Sequence, residues 1–197
     1  MKKVVFLGLG YIGLPTAAVA AGHGYEVVGV DVNPSVVETI NQGKIHIVEP
    51  ELDQIVKEVV RTGNLRAVSK PEQADAFFVV VPTPFKQNHR ADITYVESAT
   101  RSVIPYLREG NLFVIESTSP VFTTERMAEV IYKERPELKD KIYIAYCPER
   151  VLPGNTLYEL VHNDRVIGGV NPESTAKAIE FYSAFVQGKL HLSLIHI

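Results

Sequence analysis

A single cysteine, Cys147, leaves the chain no partner for an internal disulfide. There is no basic excess either. Lys and Arg number 20 against 23 acidic residues, a formal net charge of -3, whereas neutralising a nucleic-acid backbone calls for clustered positive charge. Nucleic acid is therefore not an expected partner. The apolar runs fall short of the roughly 20 residues that span a bilayer. Met1-Lys2-Lys3 ahead of Val4-Val5-Phe6-Leu7 has the outline of a leader peptide, but glycines and a proline break the run. The expected setting is cytoplasmic, with no membrane partner. Internal repeats and low-complexity linkers are missing. His46, His89 and His162 lack metal-ligand spacing, so no metal is expected. What is present is 197 residues, 46% of them hydrophobic, enough for one substantial core or one domain plus the start of another.

Strand and helix signals alternate along the chain. A β-branched apolar run at Lys3 to Leu7 is followed by glycines and by small helix-forming residues from Ile12 to Ala21. A second strand, Glu26 to Val30, ends at Asp31. Asn33-Pro34 reads as helix cap and first turn, with Gly43 as the stop. After Pro50, the residues Leu52, Ile55, Val56, Val59 and Val60 share one helical face up to Gly63. Further strands are expected at Leu65 to Val68, Ala76 to Val81, Leu112 to Ile115 and Ile142 to Ala145, with helices near Tyr95 to Leu107 and Thr124 to Glu134. Runs such as Phe77-Phe78-Val79-Val80-Val81 suit strands covered on both faces, as crossover helices make them in parallel sheets. The fold class is α/β, a doubly wound parallel sheet of Rossmann type. The expected division is a dinucleotide-binding domain over 1–146, then 147–186 as its end and the start of a helical connecting region.

Gly8-Leu9-Gly10-Tyr11-Ile12-Gly13 lies between the first strand and the first helix, and Asp31 ends the next strand at the expected distance of roughly 20 residues. In that context, Gly8 permits the tight turn, Gly10 lets a pyrophosphate approach the backbone, and Gly13 lets helix pack on strand. The anion rests on the N–H groups at the positive end of the helix. A carboxylate at Asp31 accepts hydrogen bonds from ribose hydroxyls and repels a 2′-phosphate, so the cofactor is NAD rather than NADP. A turn or capping role for Asp31 stays open.

Four segments then carry a resemblance. Gly8 through Pro15, Val81-Pro82-Thr83-Pro84, Glu116-Ser117-Thr118-Ser119-Pro120 and Cys147-Pro148-Glu149-Arg150-Val151 stand in the order and spacing of UDP-glucose/GDP-mannose dehydrogenases. The chain resembles that family over about residues 3 to 186. Ile45 to Pro50, Tyr146 to Gly154 and Asn163 to Gly169 look most like its UDP-N-acetyl-D-mannosamine branch. The resemblance implies oxidation of a UDP-sugar C6 alcohol to the carboxylate by two successive NAD, through a thioester, for surface polysaccharide precursors. It also implies NAD contacts at Tyr11, Ile12, Thr83, Thr118 and Thr124, a catalytic base at Glu149, and sugar-nucleotide contacts at Arg150 and Val151. On the residues alone, Thr83 also reads as a turn threonine, Thr124 as a helix cap, and Glu149 as a surface partner of Arg150. Cys147 precedes Pro148 in a strand-end segment and reads as a buried small side chain. One departure is Phe122, where similar enzymes carry glycine, so the turn into Thr123 and Thr124 is expected to differ.

The family's nucleophilic cysteine, and the lysine and asparagine of its central helix, are expected beyond residue 197. So are its main dimer contacts, which makes the full-length protein an expected homodimer and the present chain an inactive fragment. A helical pattern from Glu173 to Phe185 changes at Gln187. Leu192-Ser193-Leu194-Ile195-His196-Ile197 is what CTG-TCT-CTT-ATA-CAC-ATC encodes, a transposase adapter, so 187–197 is expected to be a non-native tail. Two rival readings are a 3-hydroxyacid type of NAD-dependent dehydrogenase, against which Glu149-Arg150 and Asn163-Asp164-Arg165 argue, and a dinucleotide-binding module without chemistry.

Overall fold

The computed structural model describes residues 1–86 and 89–194. Eight strands form one sheet: β1 (Lys3–Leu7), β2 (Glu26–Val30), β3 (Leu65–Val68), β4 (Ala76–Val79), β5 (Leu112–Ile115), β6 (Tyr143–Tyr146), β7 (Arg165–Gly169) and β8 (Leu190–Leu194). Among the described residues there are seven α-helices: α1 (Gly13–Gly22), α2 (Pro34–Asn41), α3 (Leu52–Arg61), α4 (Thr94–Val103), α5 (Thr123–Glu134), α6 (Thr156–His162) and α7 (Pro172–Tyr182). The strand order is β3-β2-β1-β4-β5-β6-β7-β8, parallel throughout except that β7 runs antiparallel to β6. The first six strands follow the doubly wound order, in which the chain reverses direction across the sheet between β1 and β4.

Side chains alternate between two cores, one on each face. Val4, Phe6, Phe78 and Val114 point to the face covered by α1, α3, α6 and α7, where Phe6 stacks on Phe78 at 4.8 Å and Phe78 meets Phe181 at 4.2 Å. Val5, Leu7, Phe77, Val79 and Phe113 point to the opposite face, covered by α4 and α5. The first core reaches past Tyr146 through Ile167, Ala178 and Tyr182, and the partly buried Val170 packs against the second from beyond it.

Several boundaries shift for identifiable reasons. The fourth strand ends at Val79 rather than Val81, because the Val81 N–H is taken by the Ser117 hydroxyl at 2.9 Å and Pro82 has no N–H to offer. The helix expected to reach Leu107 stops at Val103 and continues as a 3₁₀ turn over Ile104–Tyr106, where Pro105 lacks the donor. The sixth strand sits one residue later than expected, at Tyr143–Tyr146. Asn33 caps α2 by accepting from Ser35 N at 3.0 Å, as its sequence context indicated. Phe122 takes a φ of 67°, the left-handed conformation that glycine adopts at no steric cost. The tail contributes β8, whose residues 190–194 pair with all of β7, while Ile195 to Ile197 lie outside the described residues.

Candidate functional site

A cavity of about 720 Å³ opens at the carboxyl ends of the strands, over the point where the sheet order reverses. Its walls come from the β1–α1 loop (Gly8 to Ile12), the ends of β2, β4 and β5, Glu149 beyond β6, and one side of α4.

Each glycine of the loop meets a different constraint. Gly8 has a φ of 96°, and a Cβ there would lie 2.3 Å from the Val80 carbonyl oxygen. A Cβ on Gly13 would lie 1.9 Å from the Gly8 carbonyl oxygen, so α1 sits directly under the loop. A Cβ added at Gly10 would meet nothing within 4 Å, leaving that side of its backbone open to an incoming group. The loop from Gly8 to Ile12 lines the cavity and runs straight into α1, whose first turn is joined to it by Leu14 N donating to Gly10 O and Thr16 N to Ile12 O; the positive end of the helix there suits a diphosphate.

Asp31 ends β2 and binds the loop to its own turn: Oδ2 accepts from Leu9 N at 3.1 Å and Oδ1 from Asn33 N at 2.9 Å. Asp31 is thus a turn acceptor, and it also lines the cavity. On the other side, Ser117 Oγ donates to Val81 O at 2.8 Å while accepting from Val81 N, and Thr83 Oγ1 donates to Thr118 O at 2.7 Å. These bonds fasten the Val81–Pro84 loop to the end of β5, and Thr83 and Thr118 both line the cavity.

Beneath this rim lies a buried polar cluster. The Glu149 side chain is 7% exposed and its Oε2 stands 2.5 Å from Nη1 of Arg165, itself 3% exposed. Glu149 Oε1 accepts from the Arg150 backbone N–H at 2.7 Å, so the surface pairing of the two side chains is replaced by a buried pairing with Arg165. Arg165 also donates to Leu160 O and lies 5.1 Å from the Tyr182 ring centroid. Glu116, one residue past β5, accepts from the Tyr182 hydroxyl at 2.6 Å. Burial pushes the Glu116 carboxyl up to about 7, against the opposing pull of Arg165 and the Tyr182 hydroxyl. Burial likewise pushes the Cys147 thiol up to about 12, which leaves it a protonated core side chain.

The sequence-derived residues divide accordingly. Gly8, Gly10, Tyr11, Ile12, Asp31, Thr83, Thr118 and Glu149 share the cavity, with Gly13 packed beneath it. Thr124 is buried in the first turn of α5, where Phe122 holds the capping position, and it does not line the cavity. Arg150 is exposed, and the Val151 side chain joins the core. Glu116, Tyr182 and Arg165 were assigned no role from sequence. The available signal was a charged residue directly after an apolar strand at Glu116 and at the opening of one at Arg165. Glu49 was also missed: it accepts from Gly154 N at 2.9 Å and Thr156 N at 2.6 Å, holding the segment after Val151 and the start of α6.

Doubly wound topology, a glycine loop under a helix start, and a carboxylate closing β2 define a dinucleotide-binding domain of the dehydrogenase kind. The comparisons narrow this further. The family model for the NAD binding domain of the UDP-glucose/GDP-mannose dehydrogenase family matches residues 2–186, and the chain belongs to that family. NAD is its cofactor, in keeping with the open backbone at Gly10 and the carboxylate at Asp31.

The UDP-N-acetyl-D-mannosamine dehydrogenase of Yersinia pestis is 53% identical over 196 residues, covering 95% of this chain and 47% of that protein. The NDP-N-acetyl-D-galactosaminuronic acid dehydrogenase of Ralstonia nicotianae is 50% identical, with 95% and 46% covered. The native structure of the UDP-N-acetyl-mannosamine dehydrogenase Cap5O from Staphylococcus aureus superposes with a TM-score of 0.92 at 40% identity, covering 98% of this chain and 48% of that one. The chain thus spans about half the length of the relatives it matches. A 3-hydroxyisobutyrate dehydrogenase from Mycobacterium tuberculosis, at 18% identity and a TM-score of 0.64, shares the fold alone.

Proposed function

We propose that this chain is the cofactor half of a UDP-sugar 6-dehydrogenase that acts on UDP-N-acetyl-D-mannosamine and yields the uronate for surface polysaccharide precursors. The observation that carries the reading is that Glu149 enters the same cavity as the glycine loop and Asp31, although it comes from the far side of the sheet. Identity of 53% to a UDP-N-acetyl-D-mannosamine dehydrogenase supports the choice of sugar.

When bound, NAD supplies the hydride acceptor for each of the two oxidations. The β1–α1 loop seats the diphosphate, Asp31 takes the adenosine ribose, and Thr83 and Thr118 border the nicotinamide half. Thr124 acts behind them, from the first turn of α5. Glu149, oriented by Arg165, accepts a proton from water as the acyl intermediate is hydrolysed. Arg150, exposed beside it, binds the sugar-nucleotide diphosphate through its two-pronged guanidinium, and Val151 sets the backbone there. Residues 1–146 carry the dinucleotide site and 147–186 join it to the helical region of a full-length, cytoplasmic homodimer.

The test is NADH formation by the full-length protein with UDP-N-acetyl-D-mannosamine and with the galactosamine counterpart. Two NADH per UDP-N-acetyl-D-mannosamine consumed is the expected result. Turnover of the galactosamine compound alone would transfer the assignment to the second relative's activity. The 197-residue chain by itself is expected to bind NAD without sugar-dependent NADH formation.

A further inference from the structure

The buried cluster under the cavity contains two carboxylates and one guanidinium. Arg165 stands 2.5 Å from Glu149, its Nε is buried without a hydrogen bond, and its charge reaches Glu116 as well. Among the described residues the one hydrogen-bond partner of Glu116 is neutral, the Tyr182 hydroxyl on Oε1, while its Oε2, like Glu149 Oε2, is buried without a hydrogen bond. The backbone brings the two carboxylates together, since Glu149 N donates to the Glu116 carbonyl at 3.3 Å. The titratable and charged groups facing Glu116 are Tyr182 from α7, Arg165 from β7, and Glu149 and Cys147 from the end of β6. An ionised Glu116 leaves this cluster one positive charge short.

Asp31 fixes the adenosine end of the dinucleotide over β1 and β2. The other nucleotide then lies across the switch point, over the ends of β4, β5 and β6, where Glu116 lines the cavity. Oxidised nicotinamide is a cation and reduced nicotinamide is neutral. We propose that Glu116 is a proton-linked sensor of the cofactor's redox state, giving up its proton when NAD⁺ binds and keeping its protonation unchanged when NADH binds. The inference rests on the assignment of NAD to this cavity. It adds a residue that discriminates between the two forms of the cofactor through charge, in a low-dielectric setting where that charge counts most.

The linkage sets the size of the effect. For a carboxyl titrating near 7, the ionised fraction rises from about 0.1 at pH 6 to about 0.9 at pH 8, so a ligand that selects the ionised form binds about tenfold tighter at pH 8. At pH 7 about half a proton leaves per NAD⁺ bound. Calorimetric titration of the 197-residue chain, in buffers of differing ionisation enthalpy, reads both quantities.

The expected result is the pH-dependent affinity for NAD⁺, a flat profile for NADH, and a flat profile for NAD⁺ in Glu116→Gln. Tyr182→Phe retains the carboxyl but removes a bond that favours its ionised form, so the transition is expected at higher pH. It provides the readout if the glutamine variant folds poorly. Equal pH dependence for NAD⁺ and NADH, or a slope that survives in Glu116→Gln, overturns the proposal. Failure of either dinucleotide to bind at any pH overturns the cofactor placement itself.

Discussion

Replacing Arg165 by methionine removes the cation from the buried cluster while keeping an unbranched side chain in its place. Arg165 pairs with Glu149 at 2.5 Å, donates to Leu160 O at 3.1 Å and packs over Tyr182, with both ion-pair side chains under a tenth exposed. Removing one partner of a buried pair costs about 3–5 kcal/mol, because the other charge is left without compensation. Against a total stability of roughly 5–15 kcal/mol, that is a large share. For a domain of this size it corresponds to a fall in Tm on the order of 10 °C.

The loss should depend on pH. Glu116 already titrates above its unfolded value, so the folded state binds more protons than the unfolded one, and its contribution is fullest below about 4.5 and wanes as pH rises through about 7. Without Arg165, which holds the Glu116 carboxyl down, that window extends upward, and the variant should lose more ground at pH 8 than at pH 5. Urea unfolding followed by far-ultraviolet circular dichroism measures both. Glu149→Gln added to Arg165→Met should restore at least about 1 kcal/mol, since the stranded charge is then gone. A loss below about 1 kcal/mol that is the same at both pH values would refute the idea that the guanidinium neutralises this cluster.

Gly13→Ala places a methyl group 1.9 Å from the Gly8 carbonyl and should cost at least about 1–3 kcal/mol together with NAD binding, whereas Gly10→Ala, with open space around it, should weaken NAD binding alone. Parallel thermal melts and NAD titrations of the two variants separate the effects. Glu49→Gln should cost about 1–3 kcal/mol and speed hydrogen exchange at Gly154 and Thr156, whose N–H groups it accepts. Burial opposes the Glu49 charge, but those two bonds win and hold its carboxyl below the ordinary range. Its contribution is therefore present above the ordinary carboxylate pKa and lost as pH falls through the depressed value. Native Cys147 should resist a thiol reagent at pH 8 and react on unfolding, and rapid labelling of the folded chain would contradict its burial.

The first five parallel strands were legible because each is a short β-branched or aromatic run closed by glycine, proline or a polar residue, and Lys3–Leu7, Glu26–Val30, Leu65–Val68 and Leu112–Ile115 fall where the pattern places them. The later part was harder to read. β7 holds Arg165 and two glycines among five residues, and α6 is only seven residues long, too short to show a periodicity. In the site, the glycine loop and Asp31 were visible because spacing along the chain encodes them. The partnership of Glu116, Arg165 and Tyr182 was not, since Tyr182 lies 66 residues from Glu116 and a local pattern carries no trace of what a distant helix will bring.

Glu49 accepts hydrogen bonds from residues 105 and 107 positions further along. A tie of that span closes a loop of more than a hundred residues, and its entropic cost is lowered by every contact made within the loop. The segment that carries Glu149, Arg150 and Val151 is therefore anchored at its far end by a residue from the opposite half of the sheet, so its position depends on the whole domain being folded and not on its neighbours in sequence.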